Sequence, residues 1–250
     1  MMKKFILLIM FAMLLLMLPG CWDYTEYEDM NIISVIGVDY NDDTKEVTVT
    51  IQSERMGKVG EVKGEANKSQ NSLNGKKEPV ISATDITVLD AYTKIQQVTV
   101  KKMFLGYVQV VIIGEEAAKH IMGDVIGLFD QTPAIRTTAY MLIVTGKAED
   151  TISTYDPDID QPTGKHIYDL ISTSGNVGNS YAIQLYDFAR MLALPGIEPL
   201  APRVMLIPES KPEGKNTGSK SGAEMEGIKF SDQKEGHHRI DGVAVFNGEK

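Results

Sequence analysis

Ile32-Ile33-Ser34-Val35-Ile36-Gly37-Val38-Asp39-Tyr40, then Asn41-Asp42-Asp43-Thr44, then Glu46-Val47-Thr48-Val49-Thr50-Ile51-Gln52 is the stretch from which the fold is read. Its first piece is rich in branched apolar residues and reads as a β-strand. The second is a turn by its Asx side chains. The third alternates apolar and polar, the period of a half-buried strand. Together they predict a hairpin. A lone hairpin is marginal in water, so the chain beyond it must cover its apolar face.

Downstream, residues 57–79 are rich in Gly, Lys, Glu, Asn and Ser and read as a long polar loop. Ser82-Ala83-Thr84-Asp85 resembles a capping box ahead of Ile86, Leu89, Tyr92 and Ile95, which share one helical face. Gly106 to Ile113 is a continuous apolar strand, suited to burial on both sides. Glu115-Glu116 open a helix with acids at the favourable dipole end, carrying the stripe Ala118, Met122, Ile126 and Phe129. Thr137 to Val144 is another strand. Residues 155–166 read as loop, with helical patterns at Ile167–Ile171 and at Tyr181, Leu185, Phe188 and Leu192. Val204 to Ile207 is a short strand. This order predicts an α+β (mixed α/β) domain over residues 21–208, a mixed β-sheet with packed helices. Residues 209–224 read as a linker. The strand Ile240 to Phe246 running into Asn247-Gly248, a strong hairpin signal, reads as the truncated start of a second α/β domain over 225–250.

Upstream, Met-Met-Lys-Lys precedes an unbroken apolar run from Phe5 to Leu18, followed by Pro19-Gly20-Cys21. Two lysines, a short apolar core and a small-residue cleavage point make a secretory signal peptide over residues 1–20. The run is shorter than the ~20 apolar residues a membrane span needs. Leu18-Pro19-Gly20-Cys21 resembles a lipobox, which makes Cys21 the expected lipid-attachment residue. Two acyl chains suffice for stable anchoring at ~0.8 kcal/mol per buried methylene, so the expected location is membrane-anchored and outside the cytoplasm.

The whole chain carries 25 basic and 34 acidic residues, net −9. A nucleic-acid binder would show a basic face, so no nucleic-acid partner is expected, and attachment rests on lipid rather than on a polybasic patch. Cys21 is the single cysteine, which excludes an intramolecular disulfide framework and a cysteine zinc cluster. No G-x-S-x-G, G-x-x-x-x-G-K, H-E-x-x-H or dinucleotide fingerprint occurs, and the expectation is a protein that is not an enzyme and has no cofactor. Asp156, Asp158 and Asp160 alternate like calcium ligands. Gln161 stands where that loop needs glycine and Ile167 where it needs glutamate, so a solvated turn is expected and no metal. His237-His238 reads as solvated, His120 and His166 as isolated, and Ser174 to Ser180 as a flexible loop. Trp22 and Tyr24 suit a bilayer interface or the domain's own neck.

Cys21-Trp22-Asp23 and Glu26 after the lipobox, Ile36-Gly37-Val38-Asp39, Val108 to Glu116, Arg136 to Thr145 and Gly242 to Phe246 occur in an order that resembles the Ger(x)C proteins, the C subunits of nutrient germinant receptors in endospore-forming bacteria. The resemblance marks Trp22, Asp23, Glu26, Gly37 and Asp39 as neck or interaction residues. It implies a palmitate-type diacylglyceryl lipoprotein on the outer face of the spore's inner membrane. There it would assemble with an A subunit and a transporter-like B subunit to trigger germination. The chain departs from the family at Phe129 to Pro133, where an arginine is usual. The alternative is an extracytoplasmic solute-binding lipoprotein with two lobes, and a third reading is a surface hydrolase.

Overall fold

The computed structural model describes residues 2–16, 25–54, 79–155, 161–174, 181–208, 228–230 and 234–246. In chain order the elements are α1 (Met2–Leu16), a 3-10 turn (Tyr27–Asp29), β1 (Met30–Asn41), β2 (Glu46–Ser53), β3 (Val80–Asp85), α2 (Val88–Val98), β4 (Lys102–Phe104), β5 (Val110–Gly114), α3 (Glu115–His120) and α4 (Met122–Gln131). They continue with β6 (Tyr140–Val144), α5 (Ala148–Ser153), β7 (Thr154–Tyr155), α6 (Thr163–Ser174), β8 (Ile183–Gln184), α7 (Leu185–Ala193), β9 (Leu200–Pro208), β10 (Ile228–Phe230) and β11 (Lys234–Val245). Residues 1–30 and 31–250 are two separate compact units. In the first, α1 exposes Phe5, Leu7, Met10 and Phe11, an apolar surface that water does not favour. Among the described residues no helix is long and apolar enough to cross a membrane.

The second unit is built on one mixed sheet, in the order β10-β3-β2-β1-β5-β6-β9-β11-β7, with β4 on β1 and β8 on β6. The expected hairpin is its centre: β1 and β2 pair antiparallel from Asn41–Glu46 to Ile33–Ser53. β1, β5, β6 and β9 then run parallel, the pattern that needs both faces covered. Alternation divides the side chains cleanly. Ile36, Val38, Val111, Ile113, Met141 and Ile143 face one core with α2, α4 and α7. Val35, Val110, Ile112, Leu142 and Val144 face the other, with Ala148, Ile152, Ile167 and Ile171 of α5 and α6. The mixed sheet with packed helices stands as read.

Several details differ from the sequence reading. Ser82 and Thr84 belong to β3, not to a helix cap. Thr50 Oγ1 donates to Ser82 Oγ at 3.1 Å, and the Thr48 and Thr84 hydroxyls bond at 2.8 Å, so cross-strand pairing outweighs the local cap. The cap is Thr87, whose Oγ1 accepts from Asp90 N at 3.1 Å and donates to Asp90 Oδ2 at 2.6 Å. Ile86 and Leu89 are exposed, and Val88, Ala91, Tyr92 and Ile95 form the buried face. Thr87→Ala should therefore cost ~1 kcal/mol, seen as a fall of roughly 2–4 °C in Tm. An unchanged melt would mean that this cap contributes nothing. The helix opened by Glu115 breaks at Ile121 (φ −130°, ψ 21°), which turns Met122, Val125, Leu128 and Phe129 into the core.

The segment read as the start of a second domain joins this sheet instead. β11 pairs with β9 from Gly236–Pro208 to Val245–Leu200, and β10 pairs with β3 from Ile228–Ala83 to Phe230–Ile81. The reason is that β9, five residues longer than its apolar run suggests, offers an edge that β11 satisfies. The polar loop at 57–79 and the linker at 209–224 fall, but for Pro79, outside the described residues.

Candidate functional site

Cys21, Trp22 and Asp23 lie outside the described residues, as do Tyr24, Asp156, Asp158 and Asp160. Glu26 is exposed, and its carbonyl accepts from Asp29 N at 3.0 Å at the 3-10 turn. Gly37 and Asp39 sit on β1 and meet at one place, the first turn of α5. Asp39 Oδ1 accepts from Ala148 N at 2.7 Å and Oδ2 from Glu149 N at 2.9 Å. These are two of the donors that every helix leaves unpaired at its start. A Cβ on Gly37 would lie 2.5 Å from Ile152 Cδ1 and 3.1 Å from Ala148 Cβ, and one on Gly114 would lie 2.1 Å from Asp39 Oδ1. Gly37 thus admits the helix, and Gly114 admits the carboxylate that caps it.

Asp39 is 7% exposed. Burial pushes its carboxyl up to about 6, against the pull of the Glu149 and Ala148 amides; the nearby Glu149 charge adds to the rise and Lys147 opposes it. A carboxylate enclosed in this way holds the fold together and has no surface to offer a partner. Gly37 and Asp39, read as neck or interaction residues, both have a role inside the fold, the seating of α5. The helix they seat is six residues long and escapes a periodicity search; its only signal is Glu149 and Asp150 in the first turn.

Three concave surfaces lie among the described residues, one of about 440 Å³ between residues 86–89 and 121–131. A groove of about 910 Å³ runs between α3 and the segment after α7. Leu192, Leu194, Ile197 and Val245 line it at 40–59% exposure. Glu115, Lys119 and His120 form part of its rim, with Lys119 Nζ 2.8 Å from Glu115 and 2.9 Å from Glu116. Grouped apolar side chains with a polar rim are the mark of a protein or membrane contact. A third cleft, about 230 Å³, is polar and lies at the amino ends of β5 and β6.

The histidines also differ from expectation. His238 is 7% exposed, its Nε2 lies 3.0 Å from the Thr151 carbonyl, and its ring is 5.8 Å from that of His166. His120 stacks obliquely on Tyr40 at 5.6 Å. Among the described residues no three His, Cys, Asp or Glu side chains gather into a metal site.

With this geometry in place, comparison supplies the family. The model for the spore germination protein N-terminal domain matches residues 23–206. The chain belongs to this family, the Ger(x)C group that its residues resemble. Two Bacillus subtilis (strain 168) proteins are similar to it. Spore germination protein KC is 28% identical over 99% of this chain and 58% of its own length. The putative spore germination protein YfkR is 28% identical over 85% of this chain and 52% of its own. The chain thus spans little more than half the length of these relatives. No solved structure matches it.

Proposed function

We propose that this chain is part of a lipid-anchored C subunit of a nutrient germinant receptor. Its role is to assemble with A and B membrane subunits at the outer face of the spore's inner membrane. The observation that carries the proposal is the family match across residues 23–206 directly behind a signal-like segment ending in Cys21. Diacylglycerol on Cys21 confines the folded unit to two dimensions beside its partners, which raises their effective concentration. The apolar groove is the face assigned to a partner subunit, because its exposed Leu194 and Ile197 have more to gain from burial than any polar surface. Chemistry on a substrate is not part of this role. The solute-binding alternative is less well supported, since residues 31–250 form one compact unit rather than two lobes.

Complementation of a deletion strain tests the proposal. Deletion should slow nutrient-triggered germination, and the wild-type gene should restore it. Cys21→Ala should leave the protein outside the membrane fraction and fail to restore germination. Ile197→Asp should remain anchored yet co-purify poorly with the two membrane subunits. Germination at the wild-type rate in the deletion strain, with no related copy to compensate, would overturn the receptor role.

A further inference from the structure

The segment that joins α2 to β5 forms an exposed tip at one end of the sheet. β3 ends at Asp85, opposite Val47, and Val47 pairs with Tyr40 near the carboxyl end of β1. From there α2 carries the chain back over the sheet, its eleven residues rising about 16 Å. Residues 99–101 turn, and β4 then pairs with β1. β2 and β5 already take Val35 to Val38 on the two edges of β1, so β4 meets the residues ahead of Val35. The tip therefore lies at the amino end of β1. The folded unit also begins there, at Asn31, ten residues after Cys21.

Alternation along β4 divides its side chains. Met103 packs on the core, while Lys102 and Phe104 face outward. Val100 is 102% exposed and Phe104 43%. The Phe104 ring rests against backbone, since a Cβ on Gly106 would lie 2.8 Å from its Cζ. Lys101 and Lys102, between the two apolar side chains, are also exposed. A single exposed valine is ordinary on any protein surface. Here two apolar side chains flank two cations on a chain of net charge −9, at the end where the folded unit begins. The far end of the β1–β2 hairpin holds Asp42, Asp43 and Glu46 against Lys45, and its near end holds Glu54.

We infer that residues 99–104 rest on the bilayer surface, with Val100 and Phe104 in the headgroup layer and Lys101 and Lys102 against anionic lipid phosphates. The inference rests on the anchored reading of Cys21. Ten extended residues span at most ~33–36 Å, so diacylglycerol on Cys21 keeps this end of the sheet within reach of lipid. Apolar side chains that water surrounds gain by entering the interface, as those of peripheral helices do. Lysines add attraction to an anionic leaflet within about a Debye length, ~8 Å at physiological salt. A flexible tether alone lets the domain rotate freely. A second contact at the tip fixes its orientation and turns the acidic end of the hairpin away from the lipid.

Fluorescence quenching from within the lipid, on the full lipid-modified chain, tests it. Cys21 is the single cysteine and its thiol is consumed by the anchor, so an introduced cysteine is the one free thiol. Val100→Cys and, at the far end of the hairpin, Asp43→Cys replace exposed side chains and can each carry a nitrobenzoxadiazole dye. The proteins are reconstituted, with no other protein, into phosphatidylglycerol–phosphatidylcholine vesicles that hold a nitroxide just below the headgroups. Quenching should be at least threefold stronger at position 100 than at position 43. Lys101→Glu with Lys102→Glu should weaken it at position 100 at least twofold. Equal quenching at the two positions, in protein that floats with the vesicles, would overturn the inference and leave the anchor standing. So would quenching at position 100 that the lysine substitutions do not change. Wild-type protein that fails to float would overturn the anchored reading and this inference with it.

Discussion

An alanine at position 114 should destabilise the folded unit by about 4 kcal/mol and lower Tm by roughly 8–16 °C. The backbone is not the obstacle, because Gly114 has φ −65° and ψ 154°, which any residue adopts. The obstacle is space. A Cβ there would stand 2.1 Å from Asp39 Oδ1 and 3.3 Å from the Gly146 carbonyl. Asp39 can yield only by leaving Ala148 N and Glu149 N, which strands two donors at ~1–3 kcal/mol each on top of ~1–3 kcal/mol of overpacking. The two positions must therefore couple. In an Asp39→Ala background, Gly114→Ala meets no carboxylate and should cost far less than in the wild type. Additive effects of the two changes would show that the clash is not what makes glycine necessary.

The second large effect is on pH dependence. The folded-state pKa of Asp39 is raised, to about 6 from an ordinary 3.8, first by burial. Between those values the folded chain holds a proton that the unfolded chain has released. Stability contributed by this group therefore grows as pH falls from about 6 toward 4 and is lost as pH rises through about 6. The gap corresponds to about 3 kcal/mol. Asp39→Asn removes the titration and keeps an amide oxygen for one of the two donors. Most of that gap is realised by pH 4, so the Tm of the wild type, measured against Asp39→Asn, should improve by roughly 5–10 °C between pH 7 and pH 4. A difference that stays constant over that range would mean that Asp39 does not titrate in the fold as its burial requires.

These two residues also show how far the sequence could be read. Gly37 and Asp39 drew attention through resemblance, and the structure gives both a place as the seat of α5. Nothing local to Ile36-Gly37-Val38-Asp39 says that its carboxylate will meet amides over a hundred positions downstream. The cap of α2 shows a related case: the sequence reading placed it at Ser82 to Asp85, while the structure places it at Thr87 with Asp90. Only pairing with Thr50 and Thr48 decided between them. The polar cleft carried no local signal at all, since its six polar and aromatic side chains come from four separate stretches of the chain.

What the order of residues determines alone is what depends on near neighbours. This covers the hairpin at 30–53, the doubly buried β5, the helices flanking it, and the lysines and apolar run ahead of Cys21. Alternation, helical spacing and unbroken apolar runs express these directly, because each is a property of one element's own residues. Long-range pairing decided the rest. β10 and β11 close onto β3 and β9 because open strand edges leave donors and acceptors unmet, and which edge they find is a property of the assembled sheet. The buried Asp39 and the adjacent His166 and His238 arise in the same way. Each depends on what the fold brings within 3 to 6 Å, and sequence distance does not measure that.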